Sequence, residues 1–251
     1  MELSSQTVLI TGGASGIGLA LAERFLRAGS DVIVCGRRNH ALLEAQARHP
    51  KLSIRVCDVS SERDRAALFH WAVAEFPRLN VLVNNAGIQN RTPIATAAHD
   101  WERTRQEIAI NLDAPIHLSA LFIPHLLAQR HPAIINVTSG LAFVPLASTP
   151  IYCATKAALH SFTLSLRHQL ADTSIEVVEI VPPAVNTDLG GPGLHTFGVP
   201  VDEFADAAIA GLRKGELEIA YGFSAQASRA SRDELEAIFS RMNQASQKSE
   251  T

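Results

Sequence analysis

This sequence predicts one doubly wound α/β domain, a mostly parallel seven-stranded sheet with helices on both faces. Three observations predict it. Short apolar, β-branched runs alternate with longer helical patterns along all 251 residues, without a break in composition. Most of these runs are continuously hydrophobic, as strands of a parallel sheet covered on both faces are. The first run passes through a glycine-rich turn straight into a helix, the context that gives such a turn its meaning.

In chain order, the expected strands are Thr7–Ile10, Asp31–Cys35, Leu52–Cys57, Val81–Asn84, Ala133–Thr138, Ile175–Val181 and Leu217–Ala220. Helical patterns fall between them, roughly over 16–28, 39–48, 61–75, 100–130, 153–170 and 200–213. Residues 139–151 connect a strand end to the fifth of these helices and carry Gly140, Pro145 and Pro150. Residues 182–200 hold Pro182, Pro183, Gly190, Gly191, Pro192, Gly193, Gly198 and Pro200. A loop of that length in a compact domain is usually functional, often an active-site lid. Residues 1–223, including the 182–200 loop, are therefore expected to form the main domain, and 224–251 an extension. Within the extension, Leu235, Ile238, Phe239 and Met242 follow i, i+3, i+4, i+7 spacing, and Ser231 with Glu234 suits a capping box. The expectation there is a short amphipathic helix, docked on this domain or on a partner subunit, and a frayed tail from Gln244.

The chain is 47% hydrophobic and 19% charged, with a formal charge of −3. That balance gives no reason to expect nucleic acid or an anionic membrane as partner. No run of 18 apolar residues suggests a membrane span, and Met1–Gln6 has neither a basic start nor a signal-type cleavage site. Cys35, Cys57 and Cys153 form no CxxC pair, which argues for reduced thiols in a cytoplasmic protein. Cys35 and Cys57 end strand-like runs and read as small core residues. The ten histidines include no HExxH, and no metal site is expected.

The glycine turn reads Thr11-Gly12-Gly13-Ala14-Ser15-Gly16-Ile17-Gly18. Gly12 permits the tight turn, Gly16 lets backbone approach a pyrophosphate, and Gly18 allows close helix packing. The following helix offers free N–H donors and the positive end of its dipole to the anion. The end of the second strand decides between dinucleotides, because an acidic residue there would bind the ribose hydroxyls of NAD. Here it reads Val34-Cys35-Gly36-Arg37-Arg38, without a carboxylate. Two guanidiniums suit the 2′-phosphate of NADP, so NADP(H) is expected over NAD(H).

Tyr152 and Lys156 stand four residues apart, about one helical turn, and so share a helix face. A phenol titrates near pH 10, and a fixed positive charge beside it is expected to move that value toward the working range. Ser139 lies 13 residues upstream of Tyr152. Together with the glycine turn, these residues point to proton transfer beside a dinucleotide.

This motif set resembles the short-chain dehydrogenase/reductase family in its compact form of roughly 250 residues, a single Rossmann-type domain. The resemblance covers about residues 5–222. It rests on Thr11-Gly12 with Gly16-Ile17-Gly18, Cys57-Asp58-Val59, Asn84-Asn85-Ala86-Gly87, Asn111, Ser139, Tyr152 with Lys156, and Pro182 to Thr187. The phrases Asn136 to Pro145, Pro182 to Thr187 and Asp202-Glu203-Phe204 also look like a DltE-type subgroup. That subgroup is associated with D-alanine esterification of teichoic acids, but no residue here shows teichoic-acid chemistry. The resemblance implies that Ser15, Asp58, Val59, Asn85, Ala86 and Gly87 line the adenosine side of the cofactor. Asp58 would bond the adenine. Pro182, Val185 and Thr187 would meet the nicotinamide end, and Lys156 the ribose beside it. Asn111 would kink its helix and hold a water for a proton relay. One departure is Pro183, where the family usually has glycine; proline fixes φ and removes a donor.

The implied reaction interconverts a carbonyl and an alcohol by hydride transfer, with Tyr152 as acid or base, Ser139 orienting the carbonyl and Lys156 tuning Tyr152. Leu141, Phe143, Val144, Leu146 and Ile151, with Ala184 and the 188–199 loop, would wall a mainly apolar small-molecule substrate. Gln89 would add a polar contact. The apolar content of helices 100–130 and 153–170 suggests a homodimer or homotetramer. The alternative is a cofactor-bound sensor or scaffold without turnover, since fold alone does not imply activity.

Overall fold

The computed structural model describes residues 1–95 and 100–248. All seven expected strands form, and every pairing is parallel: β1 (Thr7–Thr11), β2 (Asp31–Gly36), β3 (Leu52–Val56), β4 (Val81–Asn84), β5 (Ala133–Val137), β6 (Glu176–Val181) and β7 (Glu218–Ala220). Their order across the sheet is β3-β2-β1-β4-β5-β6-β7. The chain therefore winds outward from β1 in one direction and from β4 in the other. The crevice at the C-terminal ends of β1 and β4 is the switch point where such sheets bind ligands.

Alternation along each strand sends side chains to both faces. Val8 and Ile10 of β1 join a core with Phe25 of α1 (Gly16–Arg27) and Phe204 of α7 (Val201–Lys214). Leu9 joins the opposite core with Leu68 of α3 (Glu62–Glu75), Phe122 of α5 (Ala114–Leu126) and Leu166 of α6 (Pro150–Gln169). Cys35 and Cys57 are buried there as small apolar residues. Arg24 ties α1 to α7 by bonds to Asp202 at 2.7 Å and Asp206 at 2.8 Å. Helix α2 (Asn39–Arg48) completes the face beside β2 and β3.

Apart from shifts of one residue at element ends, three regions differ from expectation. The 100–130 helix is α4 (Trp101–Ile108), a π-helical turn (Ala109–Asp113) and then α5, ending at Leu126. Helix α6 starts at Pro150, because proline fits the first helical turn, where its missing N–H is not needed. The extension forms α8 (Phe223–Ala227) and α9 (Arg232–Lys248). The capping box is made: Ser231 N and Oγ donate to Glu234 Oε2 at 2.7 and 2.8 Å. The helix is 17 residues long rather than short, and it continues through Gln244 instead of fraying there. The end of the expected tail, 249–251, lies outside the described residues.

Candidate active site

The end of β5 and one face of α6 bring Ser139, Tyr152 and Lys156 together. All three are buried, at 7%, 6% and 4% exposure. Lys156 Nζ donates to the Val137 carbonyl at 2.8 Å and lies 5.7 Å from the centre of the Tyr152 ring. Ser139 caps a short 3₁₀ turn (Gly140–Ala142), its Oγ accepting from Leu141 N at 3.1 Å. The same hydroxyl acts on Tyr152.

The electrostatics correct one expectation. Burial pushes the Tyr152 phenol well above its ordinary value, while the Ser139 hydroxyl draws it partly back and the charges of Cys153 and Glu107 add to the rise. With Lys156 nearby the net shift is still upward. Burial acts on the ammonium too, lowering it from 10.5 to about 8. Removing both groups from water disfavours each one's charged form.

Asn111 sits in the π turn, a helix irregularity frequent at functional sites. Its Oδ1 accepts from Ile88 N at 2.9 Å, and its Nδ2 donates to Ile88 O at 2.8 Å and to Thr155 Oγ1 at 3.2 Å. The irregularity expected at Asn111 takes the form of this π turn. Gly87 is close by: a Cβ on it would lie 3.5 Å from Asn111 Oδ1 and 3.7 Å from Lys156 Nζ.

The glycine turn fits a dinucleotide. Gly12 has φ +67° and donates to Cys35 O at 2.8 Å. A Cβ on Gly18 would collide with the Asn85 amide, which instead donates to Thr11 O at 2.9 Å. Asn85 N and Ala86 N both donate to Thr11 Oγ1 at 3.0 Å. The first turn of α1 has no side-chain cap and no acidic residue, which leaves its N–H groups to an anion. Ser15 Oγ accepts from Arg38 Nη2 at 2.9 Å, so one guanidinium already reaches across the mouth of the turn. Arg37 lies 3.9 Å from Asp58, whose other oxygen accepts from Ser60 N and Oγ. Ile17 packs half-buried on the core, and Val59 is buried with its carbonyl accepting from Arg65. Thr187 lies over Gly16, where an added Cβ would meet its methyl at 3.3 Å.

The long loop is pinned at its base. Val199 N donates to Ala184 O at 2.9 Å and Asn186 N to Val199 O at 2.8 Å, with buried Val185 bridging Val199. At Gly190 the loop lies against Gln89. Beside its base a cavity of about 350 Å³ is lined by Pro183, Ala184, Phe197, Gly198, Val199, Phe223 and Met242. Pro182 O accepts from Gly140 N at 2.9 Å, and a Cβ on Gly140 would collide with Ser224, so these walls adjoin the residue after Ser139. The expected wall is partly corrected. Leu141, Phe143 and Leu146 keep some exposure, but Val144 is fully buried and offers no surface. Another hollow of about 330 Å³, around Arg24, Arg27, Asp206 and Arg213, belongs to the α1–α7 contact rather than to this site.

Sequence reasoning included Phe197 only as part of the 188–199 loop and missed Phe223, Met242 and Glu107 as site residues. Met242 was visible only as one position of an amphipathic stripe. Glu107 stands four residues before Asn111, is fully buried, and accepts from Asn90 N and Nδ2 at 3.2 and 3.0 Å. Burial raises its carboxyl. That spacing was the one available signal for it.

The family model described as short chain dehydrogenase matches residues 6–194. The chain belongs to the short-chain dehydrogenase/reductase family. It is 47% identical over 248 residues to the uncharacterized oxidoreductase DltE of Bacillus subtilis (strain 168), covering 97% of this chain and 98% of the relative. A short-chain dehydrogenase from Sphingobium yanoikuyae in complex with NADPH superposes with a TM-score of 0.78 at 30% identity, over 86% of this chain and 87% of that one. A 3-ketoacyl-(acyl-carrier-protein) reductase from Brucella melitensis complexed with NADH gives 0.80 at 26% identity, over 88% and 99%. Those two members of the family carry different nicotinamide cofactors, so likeness does not choose between them. Among the described residues, no helix of this family member is long and apolar enough to cross a membrane.

Proposed function

We propose that this oxidoreductase interconverts a mainly apolar ketone or aldehyde and its alcohol, using NADP(H) in preference to NAD(H). The observation that carries the reading is the buried Tyr152 phenol, with the Ser139 hydroxyl on it and Lys156 one turn along α6. A nicotinamide cofactor, when bound, supplies the hydride. The glycine turn, Asp58, Val59 and Asn85 to Gly87 would hold its adenosine half, and Pro182, Val185 and Thr187 its nicotinamide half. Arg37 and Arg38 favour a 2′-phosphate.

A phenol carries its proton at neutral pH, so Tyr152 is loaded for the reductive direction, and burial makes it a weaker acid than a free phenol. Tyr152 gives that proton to the developing alkoxide, and Ser139 donates a hydrogen bond to the same oxygen. Lys156 lies close enough to offset the phenolate left behind, and Asn111 would hold the water that returns the proton. The cavity walls are largely hydrocarbon. An apolar cavity of about 150 Å³ accepts benzene, so the space here suits a substituent of about two rings.

We further propose residues 1–223 as the catalytic domain, 224–251 as an extension, and a cytoplasmic homodimer or homotetramer. The exposed Trp101 on α4, Ile116 on α5, Leu127 just after α5 and Leu164 on α6 support assembly, and three free buried thiols support a reducing compartment. The test is calorimetric titration with NADPH and NADH, followed by NADPH oxidation across a series of methyl ketones from acetone to acetonaphthone. Tighter NADPH binding and a rate that grows with the apolar substituent are expected. Preference for NADH refutes the cofactor assignment, and binding of neither favours a non-enzymatic role.

A further inference from the structure

A polar contact behind Tyr152 joins β5, β6 and α6, and the proposed mechanism makes no use of it. Glu179 is fully buried in β6, among Val177, Val178, Ile180 and Val181. A carboxyl in such a place needs partners, and hydrocarbon would pack there without them. Thr138 Oγ1 donates to Glu179 Oε1 at 2.7 Å. His160 Nδ1 lies 3.0 Å from Oε1 and 2.9 Å from Oε2. Thr138 immediately precedes Ser139. His160 follows Tyr152 and Lys156 at four-residue steps on α6, and its ring meets Phe143 edge-on with centroids 4.7 Å apart. One carboxyl thus links the strand end carrying Ser139, the helix carrying Tyr152 and the connector between them.

We propose that Glu179 and His160 are a positioning pair that fixes Ser139 relative to Tyr152, with a hold that depends on the His160 proton. The inference rests on the reading of Ser139 and Tyr152 as reacting groups. The hydrogen bond to Glu179 raises the His160 pKa against the effect of burial. The charged groups acting on it are Glu179 from β6 and Glu218 from β7, which favour the imidazolium, and Arg167 of α6, which opposes it. The imidazolium therefore persists above the pH at which an ordinary histidine titrates, and the pair loosens as pH rises through the elevated value.

The test uses full-length protein with NADPH added. Histidine NMR should place the His160 midpoint above the ordinary value of about 6.5, and the Ser139 and Leu141 amides should shift with that midpoint. Glu179→Gln should lower the midpoint and abolish the amide response. Thr138→Val, which keeps the side chain's size, should leave His160 titrating as before while uncoupling Ser139. With acetophenone as probe, both variants should lose about ten- to hundredfold in kcat, the cost of a small misplacement, with the NADPH KM within about twofold of the parent. An ordinary His160 midpoint, Ser139 amides indifferent to it, or a Glu179→Gln enzyme with parental kcat and pH profile would each overturn the proposal. Failure of the parent protein to reduce acetophenone counts against the reading of the reacting groups, while the NMR measurements, which need no substrate, still decide the pair.

Discussion

Lys156 is held at a cost to stability, and Lys156→Met should expose that cost. The buried ammonium has its pKa lowered from 10.5 to about 8. A base with a depressed folded pKa binds its proton more weakly in the native state. Unfolding therefore takes up protons between pH 8 and 10.5, and stability rises with pH across that window. Below pH 8 the penalty is present in full; at about 1.4 kcal/mol per pH unit it amounts to about 3 kcal/mol. Methionine keeps the apolar stem and removes the charge. It also leaves the Val137 carbonyl, now bonded at 2.8 Å, without a donor, a loss of about 1 kcal/mol. The variant should thus be more stable than its parent by about 2 kcal/mol at pH 7, with the difference shrinking toward pH 10. Urea unfolding of both proteins at one fixed concentration measures this, because groups common to both cancel. A variant less stable at pH 7, or a difference that does not shrink with pH, would refute the reasoning. Turnover should fall sharply at the same time, as expected where function is maintained against stability.

Tyr152→Phe should lower the rate of NADPH oxidation by about 10²- to 10⁴-fold, the usual weight of a positioned acid, and leave NADPH affinity by calorimetry near normal. Arg38→Ala, which loses the bond to Ser15, should weaken NADPH about tenfold, in keeping with a hydrogen bond to a charged group. NADH should hardly change, and equal weakening of both would count against 2′-phosphate recognition. Gly198→Ala would place a Cβ 2.7 Å from Val185 C and 2.8 Å from Ala184 O, at the pinned base of the loop. It should cost about 1–3 kcal/mol of overpacking and raise ketone KM more than the NADPH Kd. A change confined to Tm would remove the loop from substrate binding.

The strands were legible because seven short runs rich in valine and isoleucine leave little other place for themselves than a covered parallel sheet. The Tyr152–Lys156 pair was legible for a different reason: its geometry is local to one helix. The break around Asn111 came only from the family resemblance and not from the residue pattern, because a π turn inserts one residue while the apolar spacing continues on either side of it. Glu179 and His160 are 19 residues apart, and Asn243, which accepts from Ala147 N at 2.6 Å, is 96 residues from its partner. No local pattern joins such pairs; the sheet order does. The sign of the Tyr152 shift was misjudged on similar grounds. Spacing places a cation near the phenol, but burial, which only tertiary structure reveals, decides which charged form survives.

The end of β5 shows how tightly the two kinds of information are joined. Three successive residues there each serve a different side chain of α6. Val137 gives its carbonyl to Lys156, Thr138 reaches His160 through Glu179, and the Ser139 hydroxyl acts on the Tyr152 phenol. A helix turns about 100° per residue, so positions four apart drift by about 40° at each step. Consecutive residues of a strand alternate in direction, and the carbonyl points elsewhere again. The two periods let one strand end meet three helical side chains without crowding. They also make the arrangement intolerant of slippage. A one-residue shift of β5 against β6, where Asn136 now pairs with Glu179 and Val137 with Ile180, would exchange the faces of Thr138 and Ser139 and undo all three contacts. The buried Thr138–Glu179 bond opposes that shift from within the sheet, at the position adjoining Ser139.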